Sequence, residues 1–323
     1  MKDLLIAVGL AALAAAGVSA QSPNPAAAAP KFVTLGTNGG PVSNPVRAEP
    51  ANAIVIGRDV YLVDVGDGAC QQLAKAGIQL AQVNAVFISH LHFDHIGGLS
   101  ALIGLRNQLG IPGVLSIYGP PGTKALVAGL AAATVPSAEA AYGFQDKPFA
   151  EPAGTLKVVE MVDGSTAQAG PIKVTSRQNS HYSFVPGSDL DRRYKSLSFR
   201  FDAPGRSIVY TGDTGPSTAV EQLASGADLL VSEMIDLDRI LSPAQGARLA
   251  GSTSGQDMPR HLREHHITPD QVGELAAHAK VRSLVITHLV APGATAAELM
   301  GYHARIAMQY SGPVMIANDL DVF

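Results

Sequence analysis

The sequence predicts an α/β protein in which helices cover β-sheets. Short runs of apolar and β-branched residues alternate with helical segments through both halves of the chain. Hydrophobic residues make up 46% of the 323 residues, which is ample for a sizeable core and excludes disorder as the main state. Histidine and aspartate residues directly follow several of the predicted strands.

The charge and the cysteine content narrow the classes of function. The formal net charge is −4 and the sequence pI is about 6.2, which disfavours a basic surface that would coat nucleic-acid phosphates. We therefore expect no stable nucleic-acid partner. The one cysteine, Cys70, excludes an intramolecular disulfide framework and a thiolate-rich zinc site.

The first 30 residues are predicted to be a targeting segment and a linker. Residues 1–20 combine a short charged start, an apolar run and small residues before Ala20, which is typical of a cleaved signal peptide. The apolar run is short for a membrane span of about 20 residues, so an uncleaved anchor is the less favoured alternative. Residues 21–30 are predicted to be a Pro/Ala-rich tether. The domain over 31–323 is then expected to be periplasmic or secreted, with no later membrane span.

The elements of the first half follow from local composition. Two β-branched runs enclose Gly57-Arg58-Asp59 and predict a hairpin, and Val135-Pro136 is expected to end a helix. In chain order, we predict strands over 32–36, 53–56, 60–65, 84–89 and 114–118, and helices over 69–76 and 123–133.

The second half begins with four alternating segments, typical of an antiparallel sheet. These predicted strands are 156–161, 172–177, 196–201 and 207–211. The segment 235–265 has no clear period and is expected to be a long loop or a short-helix insertion that shapes a pocket mouth. Thr268 should cap a helix that begins at Pro269. The remaining predictions are helices over 217–224, 269–280 and 296–308, and strands over 228–232, 283–287 and 314–316.

One short motif points to metal binding. His90, His92, Asp94 and His95 lie within six residues, directly after a predicted strand. Imidazole nitrogens and carboxylates suit zinc and related divalent ions. The alternative is a surface turn with coincidental histidines, which would have to place three of the ten histidines of the chain in six positions.

Three further residues follow predicted strands in the same way: His181, Asp213 and His288. Each alone would more often be an ordinary polar residue, but together with the motif they complete two metal sites. We expect two divalent ions, zinc by preference, with manganese or iron as alternatives. The first ion would bind His90, His92 and His181, the second would bind Asp94, His95 and His288, and Asp213 would bridge them. An open position for a water remains between the ions.

The HxHxDH spacing of residues 90–95, with the downstream His, Asp and His, resembles the metallo-β-lactamase-fold hydrolase superfamily. The resemblance extends over about residues 32–323 and implies a four-layer αβ/βα sandwich with the metal site at one edge between its sheets. A non-catalytic metal-binding protein on this fold is disfavoured because all seven ligand positions are filled. A diiron oxygen reductase is disfavoured because His92 stands where such proteins have a carboxylate.

His266-Ile267-Thr268 is similar to the H-x-T element of ribonuclease Z-like and arylsulfatase-like members of that superfamily. Leu35-Gly36-Thr37 and residues 210–216 also resemble this branch. The resemblance implies that His266 donates a proton to the leaving oxygen. The neighbouring His265 is the alternative acid, and a capping or packing role for His266 is the non-catalytic alternative.

These features predict a hydrolase in which a metal-bridging hydroxide attacks an ester, with His266, Asp94 and Asp213 as the catalytic residues. The chain is expected to be exported and has no obvious long basic arm. We therefore expect a small phosphodiester or sulfate ester as the substrate, rather than a transfer-RNA precursor. A lactone, β-lactam or other carboxylic ester is the alternative, and a homo-oligomer is left open.

Several neighbouring residues have two interpretations from sequence. Glu233 is either a partner of a ligand histidine or a structural carboxylate. Tyr182 and Phe184 would form an apolar wall for the leaving group or simply belong to the core. His261 is a candidate pocket residue, whereas His278 and His303 are predicted to be surface or packing residues of helices.

Overall fold

Two β-sheets face each other in the structure, a computed structural model that describes residues 29–143, 148–242 and 257–323. The strands of the first sheet are β1 (Lys31–Gly36), β2 (Ala51–Ile56), β3 (Asp59–Val65), β4 (Val83–Phe87), β5 (Leu115–Gly119) and β6 (Leu156–Glu160). They neighbour one another in chain order. The pairs from β1 to β3 are antiparallel, as the predicted hairpin requires, and the pairs from β3 to β6 are parallel.

The second sheet also keeps its strands in chain order. They are β7 (Thr166–Ala169), β8 (Ile172–Gln178), β9 (Leu197–Ala203), β10 (Arg206–Tyr210), β11 (Leu229–Ile235), β12 (Leu284–Val290) and β13 (Val314–Ile316). The pairs from β7 to β10 are antiparallel and those from β10 to β13 are parallel.

Ten α-helices are found in the described residues. They are α1 (Ala69–Lys75), α2 (Phe93–Ile96), α3 (Leu99–Gln108), α4 (Thr123–Ala140), α5 (Asp189–Arg193), α6 (Thr218–Ala224), α7 (Leu237–Ile240), α8 (Met258–Glu264), α9 (Pro269–His278) and α10 (Ala296–Gln309). Thr268 caps α9 as predicted, through a capping box with Gln271. Among these helices, none combines the length and the apolar composition that crossing a bilayer requires.

Side-chain alternation along the strands creates four layers. In β4, Phe87 packs into the core between the sheets, whereas Val86 packs outward against α1, α3 and α4. In β10, Tyr210 points into the same central core, and Val209 packs outward against α6, α9 and α10. Each large side chain buried in this way contributes about 1.5–3 kcal/mol. The predicted αβ/βα sandwich is confirmed.

Two predictions about individual elements were wrong. The strand predicted over 156–161 does not join the antiparallel sheet, because β6 pairs in parallel with β5 in the first sheet. Alternation of apolar and polar residues shows that a strand is half-buried, but it does not show which strand pairs with it. The helix predicted to end at Val135-Pro136 continues to Ala140 with Pro136 inside it, because residues beyond the proline, such as Ala138, are still buried and their packing offsets the cost of the proline.

Some elements had no prediction, and some predictions are outside the described residues. The strand β7 and the helices α3 and α5 were not predicted. Within the segment 235–265, α7 and α8 agree with short helices, and residues 243–256 lie outside the described ranges. The predicted signal peptide over 1–20 and residues 21–28 of the tether also lie outside them.

Candidate metal centre

The seven predicted metal ligands converge where strands of the two sheets end. The four ligands of the motif over residues 90–95 follow β4, and two of them, Asp94 and His95, lie in the short helix α2. His181 follows β8 and Asp213 follows β10. His288 lies inside β12 with a positive φ of 40°, a backbone conformation that residues other than glycine rarely adopt. The ends of β4 and β10, together with β12, therefore deliver candidate ligands from both sheets to one place.

The first three-residue group has the geometry of a cation site. The ligand atoms of His90, His92 and His181 all lie within 4.8 Å of one another. Nδ1 of His92 is 3.0 Å from Nε2 of His181. Nitrogen ligands about 2.0–2.1 Å from a tetrahedral zinc ion lie about 3.3 Å apart. The predicted first set is therefore brought together at a spacing that suits one ion.

The second group is equally close. Oδ2 of Asp94 is 3.5 Å from Nε2 of His95 and 3.5 Å from Nε2 of His288. Asp213 lies between the two groups. Its Oδ1 is 3.4 Å from Nε2 of His95, and its Oδ2 is 3.3 Å from Nε2 of His288. Oδ2 also lies 3.9 Å from Nε2 of both His90 and His181, as a bridging carboxylate requires.

Several of these polar atoms are buried without a hydrogen bond in the described residues. They include Nε2 of His90, Nε2 of His95, Nε2 of His288 and Oδ1 of Asp213. A buried polar atom left without a partner costs about 1–3 kcal/mol. A pair of divalent cations would satisfy all four atoms, so the residues present fit the predicted ions.

The electrostatics of the two groups differ. Burial lowers the pKa of His90 and His181 well below the usual range, so both rings are neutral. Burial also acts on His95 and His288, but nearby carboxylates, with Asp213 foremost, outweigh it. They raise the pKa of His95 well above its usual value and that of His288 to about 9. The second group therefore attracts positive charge.

Asp64 is a buried residue beside the candidate site that the sequence did not single out. It is fully buried and accepts hydrogen bonds from Nδ1 of His95 at 2.8 Å and from the hydroxyl of Tyr210 at 2.8 Å. The backbone N and the hydroxyl of Ser89 donate to it at 2.7 and 2.8 Å. These contacts fix the orientation of His95. The available signal was an aspartate, Asp64, among the apolar residues at the buried end of β3.

His266 lines a cavity of about 280 Å³ together with His181, Asp213 and His288. Its Nδ1 donates to Oε2 of the buried Glu233 at 2.6 Å, which leaves Nε2 as the ring nitrogen available to the cavity. Burial lowers the pKa of His266, but the carboxylates of Glu233 and Asp213 together outweigh burial and raise it. Of the two interpretations of Glu233, the structure therefore favours a hydrogen-bond partner of a histidine, and that histidine is His266.

The alternative acid, His265, is turned away from this arrangement. Its Nδ1 donates to the backbone oxygen of Ser180 at 2.6 Å. Its own backbone oxygen accepts a hydrogen bond from Nδ1 of His181 at 3.0 Å, which orients that ring. His265 thus supports a predicted ligand, and the geometry favours His266 as the residue that faces the cavity.

His261 lies on α8 and lines the same cavity as His266 and a second, neighbouring cavity. Its ring is 5.0 Å from that of His181 between centroids. Burial, followed by the neighbouring histidines His266 and His265, lowers its pKa to about 4. Neither His278 nor His303 lines these two cavities, and His278 pairs with Glu221.

Comparison with known proteins gives four main findings. Residues 60–289 match the family model described as a beta-lactamase superfamily domain. Ribonuclease Z of Mycobacterium avium (strain 104) is 30% identical over 295 residues, covering 89% of this chain and 96% of that protein. The metallo-beta-lactamase fold protein YhfI from Bacillus subtilis superposes with a TM-score of 0.65 at 21% identity, covering 91% of this chain and 98% of that one. The short form of human tRNase Z superposes with a TM-score of 0.58, also at 21% identity and the same coverage.

The fold, the site and these matches define a metal-dependent hydrolase of the metallo-β-lactamase fold. The chain belongs to the beta-lactamase superfamily, in the branch that resembles ribonuclease Z. The predicted superfamily and ribonuclease-type branch are confirmed, and the family implies divalent metal ions. The arylsulfatase-like part of the prediction stays a prediction.

The expected substrate and partner class were wrong. We expected a small phosphodiester, a sulfate ester or a carboxylic ester, and no nucleic-acid partner, whereas relatives matched over nearly the whole chain are ribonucleases. A net charge of −4 does not exclude an RNA substrate, because it averages over the whole molecule. At a site of this kind, divalent ions supply the positive charge that a phosphodiester needs. A basic surface is therefore not a requirement for cleavage.

Proposed function

We propose that this protein is a two-zinc phosphodiesterase that hydrolyses RNA. The relatives support the substrate class, because ribonuclease Z of M. avium matches 89% of the chain. The geometry of the two ligand groups supports two ions rather than one. The proposed ligands are His90, His92 and His181 for one ion, Asp94, His95 and His288 for the other, and Asp213 for both.

Zinc ions at this site would lower the pKa of a bound water and neutralise charge on the phosphate. Neighbouring residues of the chain orient the histidines that would hold these ions. Asp64 holds His95 by its Nδ1, and the backbone of His265 holds His181 by its Nδ1. Both rings therefore present Nε2 inward, and the catalytic geometry is set before a substrate enters.

The pairing of His266 with Glu233 is the observation that carries the proposed reaction. The ribose oxygen that leaves from an RNA phosphodiester is a strong base, so its departure needs a proton. Glu233 raises the pKa of His266 and fixes its ring by a 2.6 Å contact to Nδ1. We assign proton donation to the leaving oxygen to Nε2 of His266.

The test compares two leaving groups. The zinc-loaded enzyme and His266→Ala are assayed on a single-stranded RNA and on an aryl phosphodiester, whose phenolate leaves readily without a proton. We expect His266→Ala to lower kcat/KM on RNA by about 10²–10⁴-fold and to change aryl turnover far less.

The exposed His303 provides the matched control, because His303→Ala removes an imidazole that lines neither of these two cavities. It should leave both activities unchanged. Equal losses on RNA and on the aryl ester in His266→Ala would contradict a role in leaving-group protonation. An enzyme that cleaves aryl phosphodiesters and leaves RNA intact would overturn the proposed substrate.

Metal stoichiometry is tested separately. Elemental analysis of the reconstituted protein should give two zinc ions per chain. His288→Ala removes a ligand of the second group only and should reduce the content to one. A content of one zinc ion in the unaltered protein would contradict the two-ion site, whatever the activity.

The localisation remains a separate proposal, supported by the apolar run and small residues within 1–20. We propose that cleavage after Ala20 releases a chain that begins at Gln21. Amino-terminal sequencing of protein from cell fractions tests this. A mature chain at Gln21 outside the cytoplasm would separate its RNA substrate from transfer-RNA precursors, whereas an intact Met1 in the cytoplasm would contradict export.

A further inference from the structure

A second cavity, of about 420 Å³, adjoins the metal centre. It shares His92 and His181 with the first ligand group, so its inner end is the metal site itself. Three aromatic side chains form its walls: Tyr182, Phe184 and Tyr194. We call this cavity the aromatic pocket. All three side chains are only half-buried, so they form a wall open to solvent and are not part of the sealed core.

The rings of the aromatic pocket are held in place. Tyr182 and Phe184 lie two residues apart in a segment without regular secondary structure, and their ring centroids are 5.1 Å apart at 53°. The hydroxyl of Tyr182 accepts a hydrogen bond from the backbone N of Leu91 at 3.2 Å. The same ring packs against His92 with centroids 5.2 Å apart. The aromatic wall is thus fixed directly beside a proposed metal ligand.

A positive charge lies next to Tyr194, one of the wall residues of the pocket. The guanidinium of the exposed Arg193 lies 5.3 Å from the centroid of the Tyr194 ring. Its neighbours are paired, Arg192 with Asp189 and Lys195 with Asp191. Within the described ranges no carboxylate pairs with Arg193, so its charge is available to a ligand.

We infer that the aromatic pocket binds one nucleobase of the substrate, that of a nucleotide adjoining the scissile phosphate. This inference rests on the proposed RNA substrate and adds a subsite to it. Proteins bind unstacked bases of single-stranded RNA on aromatic side chains, and they bind the flanking phosphates with arginine. The position of the pocket fits, because a base next to the scissile phosphate must lie beside the residues that hold the metal ions. Arg193 would contact the next phosphate of the strand.

Abasic RNA tests the subsite. The cleavage position is mapped on a single-stranded RNA, and the nucleotide on its 5′ or its 3′ side is replaced by an abasic ribose. With the zinc-loaded enzyme, one of these replacements should lower kcat/KM by about tenfold or more. In Phe184→Leu and Tyr194→Leu, the difference between normal and abasic RNA should nearly vanish.

Tyr142→Leu is the control, since Tyr142 is an exposed aromatic residue outside the pocket. It should retain the full difference between the two RNAs. Equal loss on normal and abasic RNA in the pocket variants, or insensitivity of the unaltered enzyme to both replacements, would overturn the inference.

A binding measurement separates this inference from the proposed function. Calorimetry compares 5′-AMP with ribose 5-phosphate, which lacks the base, on the zinc-loaded protein. We expect 5′-AMP to bind at least tenfold more tightly, and Phe184→Leu to remove that advantage. This result would support the subsite even if RNA were not cleaved. Equal affinity of the two ligands would overturn it even if RNA were cleaved.

Discussion

Asp64 accepts a 2.8 Å hydrogen bond from Nδ1 of His95, and this contact aims Nε2 of the same ring at the carboxylate of Asp213. The carboxylate of Asp64 is fully buried at the end of β3, and its φ of 58° is strained for most side chains. A strained, buried, charged residue persists when its surroundings hold it in place. Here Ser89 and Tyr210 supply the remaining hydrogen bonds.

Asp64→Asn should weaken zinc binding at the second site by about 10–100-fold. Asparagine has nearly the same shape and tolerates a positive φ, but it lacks the charge that favours the donor form of Nδ1 in His95. Competition with a chromophoric chelator measures the affinity. Asp59→Asn, at the exposed opposite end of β3, is the control and should bind zinc normally. Normal affinity in Asp64→Asn would show that His95 needs no such partner.

Glu233→Gln should lower kcat/KM on RNA by about 10–100-fold, less than His266→Ala. Glutamine still fills the site, but it no longer holds the charged form of His266. The double variant should be no worse than His266→Ala alone, because the two residues act as one unit. Glu274→Gln, on the exposed side of α9, is the control. Additive losses in the double variant would mean that Glu233 acts independently of His266.

The convergence of the candidate ligands could be expected from sequence, because four of them form one short motif and the others follow predicted strands. Residues 90–95 follow one strand, and Asp213 follows another, so strand ends alone bring them to one edge. Asp64 and Glu233 could not be assigned in this way. Their partners, His95 and His266, lie 31 and 33 positions away in sequence, and only the packed structure brings the pairs together.

The layered fold could be predicted from the sequence, whereas the pairing of individual strands could not. Periodicity identified most strands correctly, but a parallel or antiparallel neighbour depends on contacts that alternation does not contain, as β6 shows. His261 remained uncertain because residues 235–265 have no clear period. The substrate was mispredicted because bulk charge does not describe the local field at a metal centre.

Gly40→Ala should disrupt the second metal site. A Cβ at this position would lie 2.3 Å from Oδ2 of Asp94 and 2.5 Å from its Cβ, so the ligand carboxylate would have to move. We expect the zinc content to fall from two toward one and RNA cleavage to fall with it. Elemental analysis and kcat measure these effects.

The control for Gly40→Ala is another glycine-to-alanine change. Gly104 lies within α3, and a Cβ there would have no neighbour within 4 Å. Gly104→Ala should therefore keep both zinc ions and stabilise the fold by about 0.5–1 kcal/mol. Full zinc content in Gly40→Ala would show that Asp94 can shift without loss of its ion.

The link between β10 and β11 gives a prediction about stability and pH. The backbone N and the hydroxyl of Ser207 both donate to Oδ2 of Asp228 at 2.8 Å. The backbone hydrogen bond from Ser207 is the main cause that holds the pKa of Asp228 below its usual value. A lowered folded pKa means that the stabilisation is complete above the unfolded value of about 3.9 and is lost as the pH falls through the folded pKa.

Asp228→Asn should therefore lower the free energy of unfolding by about 1 kcal/mol at pH 7, and by progressively less below pH 4. Urea denaturation at pH 7, 5 and 3.5 measures this, with Asp67→Asn as the control, because Asp67 is exposed and its side chain forms no hydrogen bond within the described residues. A deficit of the same size at pH 3.5 and pH 7 would assign the effect of Asp228→Asn to shape rather than to charge.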